Sequence, residues 1–209
     1  DSIGLRVNNA EYQHYYYNSV NMTGTNAASF EFSGIGVGNR SVDNIFANNG
    51  GGLAIRVLNS ASAGLVRSNY NDLYSTGALL GSWDGAGVAT IGSWRTLALH
   101  DTNSVSSDPV FVSNTDLHAS GTGIDNAGTP LTGITDDIDG NSRSATTPDI
   151  GADEFIGVIR DLTVTAILTP DNNSCGSDSA VVSAVILNQG GGTASNFNVS
   201  MRSSASVGT

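Results

Sequence analysis

The sequence predicts an all-β chain: coils of a parallel solenoid over residues 1–104, a capping segment over 105–157, and the first strands of a second module over 158–209. Three observations lead there. Only 13% of the 209 residues are charged and 26 are glycine, with Ser, Thr and Asn abundant, a balance that suits strands and turns better than helices. Two ladders of matched residues recur at nearly one period, the mark of a repeat architecture. Beyond Phe155 the pattern changes to strict apolar/polar alternation, the period of a half-buried strand.

The coils come first. The segments Tyr17 to Gly24, Asp43 to Gly50 and Tyr70 to Gly77 align without gaps, spaced by about 26 residues. Their second column is Asn18, Asn44 and Asn71, their fourth Val20, Phe46 and Leu73, and their eighth Gly24, Gly50 and Gly77. The second ladder consists of the apolar-charged-apolar triplets Leu5-Arg6-Val7, Phe30-Glu31-Phe32 and Ile55-Arg56-Val57. In a solenoid, equivalent residues of adjacent coils lie ~4.8 Å apart and stack. The asparagines then form an amide ladder at a turn, and Val20, Phe46 and Leu73 an inward apolar stack. The outward column Arg6, Glu31, Arg56 alternates in sign and avoids like-charge neighbours. Gly24, Gly50 and Gly77 are expected at turn positions with positive φ. The structural reading of the Asn and Gly columns outweighs any ligand role.

After Gly77 the repeat decays. Residues 83–100 hold Trp83, Trp94 and Leu97, and Ile91–Ala98 reads as a short helix or an irregular lateral loop. An open solenoid end exposes unpaired edges, so a cap is expected, and residues 105–155 are assigned to it. Their motifs are Ser107-Asp108-Pro109-Val110-Phe111-Val112, Asp116-Leu117-His118, Ile124-Asp125-Asn126-Ala127-Gly128, Asp137-Ile138-Asp139-Gly140-Asn141-Ser142-Arg143 and Pro148-Asp149-Ile150-Gly151-Ala152-Asp153-Glu154-Phe155. In this order they resemble the end of the β-helix region of bacterial choice-of-anchor Q proteins. That resemblance implies a secreted right-handed parallel β-helix, related in shape to pectin lyases, without implying their catalysis.

In the tail, strands are expected over Asp161–Leu168, Ala180–Leu187 and from Phe197 to Met201, separated by turns at 170–173 and 188–192. This stretch resembles the front of the CARDB (cell-adhesion-related) domain, which implies an immunoglobulin-like β-sandwich. A sandwich of that kind needs about seven strands. With three, it is incomplete, and its apolar faces are expected to be poorly packed or to borrow a partner. The chain starts at Asp1 without methionine and stops at Thr209 without a closing element, so it is expected to be part of a longer polypeptide.

Charge and composition exclude several functions. The net charge is −11 and all eight basic residues are arginine. No basic face is available to neutralise phosphates, so neither nucleic acid nor an anionic membrane surface is an expected partner. No apolar run approaches the ~20 residues that span a bilayer. Without lysine, Schiff-base chemistry is excluded. The lone Cys175 cannot form an intrachain disulfide.

Three sets of residues have chemical potential. Asp137, Asp139, Asp149 and Asp153, with Asp136 and Glu154 nearby, are candidate oxygen ligands for calcium, the only cofactor considered. Read as a calcium loop the spacing fails, because Thr146 stands where a bidentate Glu is wanted. The competing reading is a capped turn in which Arg143 pairs with a carboxylate such as Asp153. Tyr70, Tyr74, Trp83 and Trp94 are candidates to stack on sugar rings, against the alternative of core packing. Glu31, Asp43 and Asp72 offer no convergent catalytic pair, since Glu31 falls in a different sheet and the other two in different columns. His14, His100 and His118 lie apart in sequence, with no metal-ligand spacing.

These residues read best as an extracellular or bacterial cell-surface scaffold or adhesion protein, non-catalytic in this segment, with an extracellular polysaccharide or cell-surface component as partner. The alternative is a polysaccharide lyase or glycoside hydrolase whose active face lies in upstream coils. A third reading is a carbohydrate-binding solenoid without turnover.

Overall fold

The computed structural model describes residues 2–58, 64–155, 162–169, 181–188 and 197–200. The chain divides into two units, Asp1–Gly157 and Val158–Thr209. The described residues are mostly β, with parallel sheets and one helix.

The first unit holds β1 (Ser2–Asn8), β2 (His14–Tyr16), β3 (Ser19–Met22), β4 (Ala27–Ser33), β5 (Asn39–Val42), β6 (Ile45–Asn48), β7 (Leu53–Val57), β8 (Leu65–Asn69), β9 (Asp72–Ser75), β10 (Gly81–Trp83), β11 (Ala86–Val88) and α1 (Ile91–Ala98). Three sheets form, in the orders β1-β4-β7-β10-β11, β2-β5-β8 and β3-β6-β9. Pairing is parallel throughout except for the β10-β11 hairpin. From β1 to β10 successive strands fall in the three sheets in rotation.

The register follows the side-chain ladders. Leu5 pairs with Phe30 and Phe30 with Ile55, while Val7 pairs with Phe32 and Phe32 with Val57. These side chains point inward, and Phe30 and Phe32 are almost wholly buried. Val20, Phe46 and Leu73 stack from the facing sheet, and the rings of Phe30 and Phe46 lie 4.5 Å apart at 6°. Burying a side chain of this size contributes about 1.5–3 kcal/mol. Outward, Glu31 accepts from Arg6 Nε at 2.7 Å and from Arg56 Nε at 2.8 Å, so one carboxylate neutralises the rungs on both sides.

The asparagines stack as predicted. Asn18 Nδ2 donates to Asn44 Oδ1 at 2.8 Å, Asn44 Nδ2 to Asn71 Oδ1 at 3.0 Å, and Asn71 Nδ2 to Asp101 Oδ1 at 3.2 Å. Asn44 Oδ1 and Asn71 Oδ1 also take the backbone N–H of the asparagine below, Asn18 and Asn44, whereas the Asn71 N–H goes to Ser104 Oγ. The glycine column needs correction. Positive φ falls on Tyr17 (52°), Asp43 (58°) and Tyr70 (55°), just before each asparagine, and not on Gly24, Gly50 or Gly77. The ladder supplies enough hydrogen bonds to hold a non-glycine residue in the left-handed region. Glycine is required at two of its three positions for space instead: a Cβ on Gly50 would lie 1.9 Å from the Thr23 carbonyl oxygen, and one on Gly77 would lie 2.2 Å from that of Gly51.

Ile91–Ala98 is helical. Thr90 caps it by accepting from Ser93 N–H, and Leu99 ends it with φ 56°. Its inner face places Trp94 and Ala98 against Leu80, Val88 and the core, so α1 covers the core at the β10 end. Trp94 Nε1 donates to Asp101 Oδ2 at 2.7 Å, and Asp101 Oδ1 also accepts from Ser68 and Ser104 hydroxyls. The last rung of the ladder is thus tied to the helix.

Residues 105–155, assigned to the cap, run along the β3-β6-β9 sheet. Ala119, Ile124 and Ile150 pack on Ile45 and Ala47, which alternate with the inward Phe46 and so face out of the β3-β6-β9 sheet. Backbone bonds fix the contact: Gly151 N–H donates to Asp43 O at 2.9 Å, and Ala152 N–H to Ser19 Oγ at 2.9 Å.

In the second unit, β12 (Leu162–Thr169) pairs antiparallel with β13 (Ser183–Asn188). Val164, Ile167, Leu168, Val185 and Leu187 are exposed. The expected third strand is not seen: Phe197–Ser200 has no regular structure. Cys175 and the turns at 170–173 and 189–192 lie outside the described residues.

Candidate functional site

The lateral segment gathers the titratable groups. In its first turn Ser113 Oγ accepts the N–H groups of Thr115 and Asp116, and Asp116 Oδ1 accepts that of His118. This presents the His118 ring at the surface. A second turn is built on Asp137, whose carboxylate accepts from the N–H groups of Asp139, Asn141 and Glu154, with Gly140 at φ 84°. It projects Asp139 outward. Between the two sits Asp153, nine-tenths buried, with Oδ2 accepting Ala119 N–H at 3.2 Å.

The three meet. His118 Nε2 lies 2.7 Å from Asp139 Oδ2, and Nδ1 lies 2.5 Å from Asp116 Oδ1. One ligand atom each from His118, Asp139 and Asp153 fall within 4.8 Å of one another. A cavity of about 540 Å³, lined by Ser19, Asp116, His118, Ile138 and Asp153 among others, opens beside them. The hydrogen bond to Asp116, and then that to Asp139, raise the His118 pKa to about 9. Burial raises that of Asp153, against the lowering effect of His118.

Of the four calcium candidates, the structure brings together Asp139 and Asp153. Asp137 and Asp149 are spent on backbone. Burial pushes Asp137 up, but its N–H donors outweigh this and hold the carboxyl below the usual range. Asp149 accepts from Asn126 N–H at 2.6 Å and Phe155 N–H at 2.7 Å, and burial raises it to about 6. His118, which lies apart from the other histidines in sequence, belongs to the cluster; the nearby Asp116, two residues earlier, was the available signal.

Arg143 does not pair with Asp153. Its Nη2 donates to the carbonyls of Gly151 and Ala152, its nearest carboxylate is Glu154 at 3.5 Å, and its guanidinium lies 3.9 Å over the Tyr17 ring. Close by, buried Asp43 accepts Thr129 N–H at 2.9 Å through Oδ1, while Oδ2 has no hydrogen-bond partner among the described residues. Burial raises Asp43 to about 7 against the lowering effects of Thr129 N–H, Arg143, Tyr17 and Arg67. Asp72, also buried, accepts Ser107 N–H and is likewise pushed well above the usual carboxylate range.

The aromatic set does not form a stacking row. Trp94 is fully buried, which removes it as a glycan contact: its indole fills the core end and meets Trp83 edge-on at 5.5 Å. Trp83, Tyr70 and Tyr74 are half-buried. No helix is long and apolar enough to cross a membrane among the described residues. Comparison of the chain with family models, curated proteins and solved structures finds no match in any of the three.

Proposed function

We propose that the first unit is a run of right-handed parallel β-helix coils, and that the chain belongs to a secreted or cell-surface scaffold or adhesion protein resembling the choice-of-anchor Q type. In this reading the second unit begins a CARDB-type, immunoglobulin-like module that spaces the coils from the surface. The partner is an extracellular polysaccharide or another cell-surface component, held without turnover.

The observation that carries this reading is how the coil carboxylates are used. Glu31 is enclosed by Arg6 and Arg56, and Asp43 and Asp72 are buried acceptors of backbone N–H groups. None is placed as half of a carboxylate pair across a sugar, which glycoside hydrolysis requires. The stacked circuits supply a long, regular surface instead.

The test is to incubate the 209-residue chain with a panel of uronic-acid and neutral polysaccharides. Unsaturated and reducing ends are followed in solution, and mobility in polysaccharide-containing native gels. Retardation without new chain ends is expected. Release of unsaturated or reducing ends would overturn the non-catalytic reading.

A further inference from the structure

We propose that His118, Asp139 and Asp153 form a site for one divalent transition-metal ion of the zinc class, with Asp116 orienting the imidazole. The site is independent of the scaffold reading.

The donor geometry comes first. A tetrahedral ion with bonds of ~2.1 Å separates its ligand atoms by ~3.4 Å. The three donor atoms here lie within 4.8 Å of one another. Closing on an ion therefore takes a shift of about 1.4 Å at most. His118 and Asp139 have side chains 47% exposed and can make that shift without unpacking anything. Asp153 is the fixed member. It is nine-tenths buried, one oxygen is anchored by Ala119 N–H, and the other has no hydrogen-bond partner among the described residues, in a side chain that lines the cavity.

With Nδ1–H donated to Asp116, the Nε2 side of the ring faces Asp139 Oδ2 at 2.7 Å, where a proton bridges them in the metal-free chain. Two lone pairs at that distance repel unless a cation lies between or beside them. A proton is one such cation and a metal ion the other. A carboxylate on the far nitrogen is the usual second partner of a metal-bound histidine, fixing tautomer and ring orientation.

The donors also select the ion. Calcium takes six to eight oxygens, and two further carboxylates of this segment, Asp137 and Asp149, already accept backbone N–H groups. One imidazole and two carboxylates suit Zn²⁺ and its neighbours, and two negative charges balance a divalent ion. The cavity leaves the fourth position open to water.

The experiment is calorimetric titration of the metal-stripped 209-residue chain with ZnCl₂ at pH 7, in a Cys175→Ser background that removes the thiol. One ion per chain is expected. His118→Ala and Asp139→Asn should each lower the affinity at least ~100-fold, and Asp116→Asn ~10–100-fold with stoichiometry retained. His14→Ala should have no effect. Both His118 and Asp139 are exposed, so these variants keep the fold. In parallel, the ¹⁵N resonance of His118 Nε2 should move on saturation. Absence of Zn²⁺ binding overturns the site, as does an unchanged affinity in His118→Ala, or calcium binding that Zn²⁺ fails to displace.

Discussion

Asn44 and Asn71, 27 residues apart, are joined twice: Asn71 Oδ1 accepts both the side-chain amide and the backbone N–H of Asn44, each at 3.0 Å. Asn44 in turn accepts the same two donors from Asn18 and gives its amide to the carbonyls of Tyr15 and Val42. Asn44→Ala strips partners from two rungs at once and leaves buried groups unsatisfied, each worth about 1–3 kcal/mol. A loss of about 3–5 kcal/mol in urea unfolding is expected, against about 1 kcal/mol for Asn18→Ala at the end of the ladder. Equal losses would show that the ladder does not act through its interior rungs.

Gly50 and Gly24 occupy one sequence column but differ in space. A Cβ at Gly50 would overlap the Thr23 carbonyl, while one at Gly24 would sit 3.4 Å from Ala27 Cβ. Gly50→Ala should therefore destabilise by more than about 3 kcal/mol or prevent folding, and Gly24→Ala should stay within about 1 kcal/mol. Thermal melts of the two variants check this.

Asp43 makes stability fall as pH rises. Its folded pKa, about 7, lies above the ~3.9 of an unfolded chain, so the folded state binds the extra proton. Below both values there is no penalty. Between them stability declines by up to about 1.4 kcal/mol per pH unit, and above about 7 the penalty is complete. The groups facing it are Tyr17, Thr129 N–H, Arg143 and Arg67. Asp149 and Asp72 act in the same direction. Asp43→Asn keeps an acceptor for Thr129, so its unfolding midpoint should depend less on pH between 5 and 7 than that of the native chain. Parallel profiles would refute this role for Asp43.

Trp94→Phe keeps a ring in the core but removes the donor to Asp101. That carboxylate still accepts from Asn71, Ser68 and Ser104, so the expected loss is about 1.5–3 kcal/mol, as for a hydrogen bond to a charged group. Near-ultraviolet dichroism and chemical denaturation read the effect.

The parallel pairing was legible because it imposes the same demand on each strand: Asn18, Asn44 and Asn71 must each serve the neighbour, so the same residue recurs. What recurs for two reasons was misread. Glycine at 50 and 77 serves a close carbonyl approach, and the left-handed backbone sits on Tyr17, Asp43 and Tyr70, whose side chains give no hint of it. Trp94 carried no sign of which face of its helix it would occupy. The His118 cluster was illegible as a whole because its members lie on separate irregular turns, and only the fold of residues 113–153 closes the gap. Nothing periodic marks Ile45 and Ala47 as a seat for Ile124 and Ile150.

The matched backbone states at Tyr17 and Asp43 have an architectural consequence. Excising residues 18–43 would set Tyr17 in the place of Asp43, directly before Asn44, with the same left-handed backbone. Each of the three sheets would then lose one parallel strand, with the pairing of the remaining strands kept in register. The β11-α1 stretch departs from this pattern, leaving the parallel pairing after β10 and returning where Asp101 N–H donates to Ser68 O.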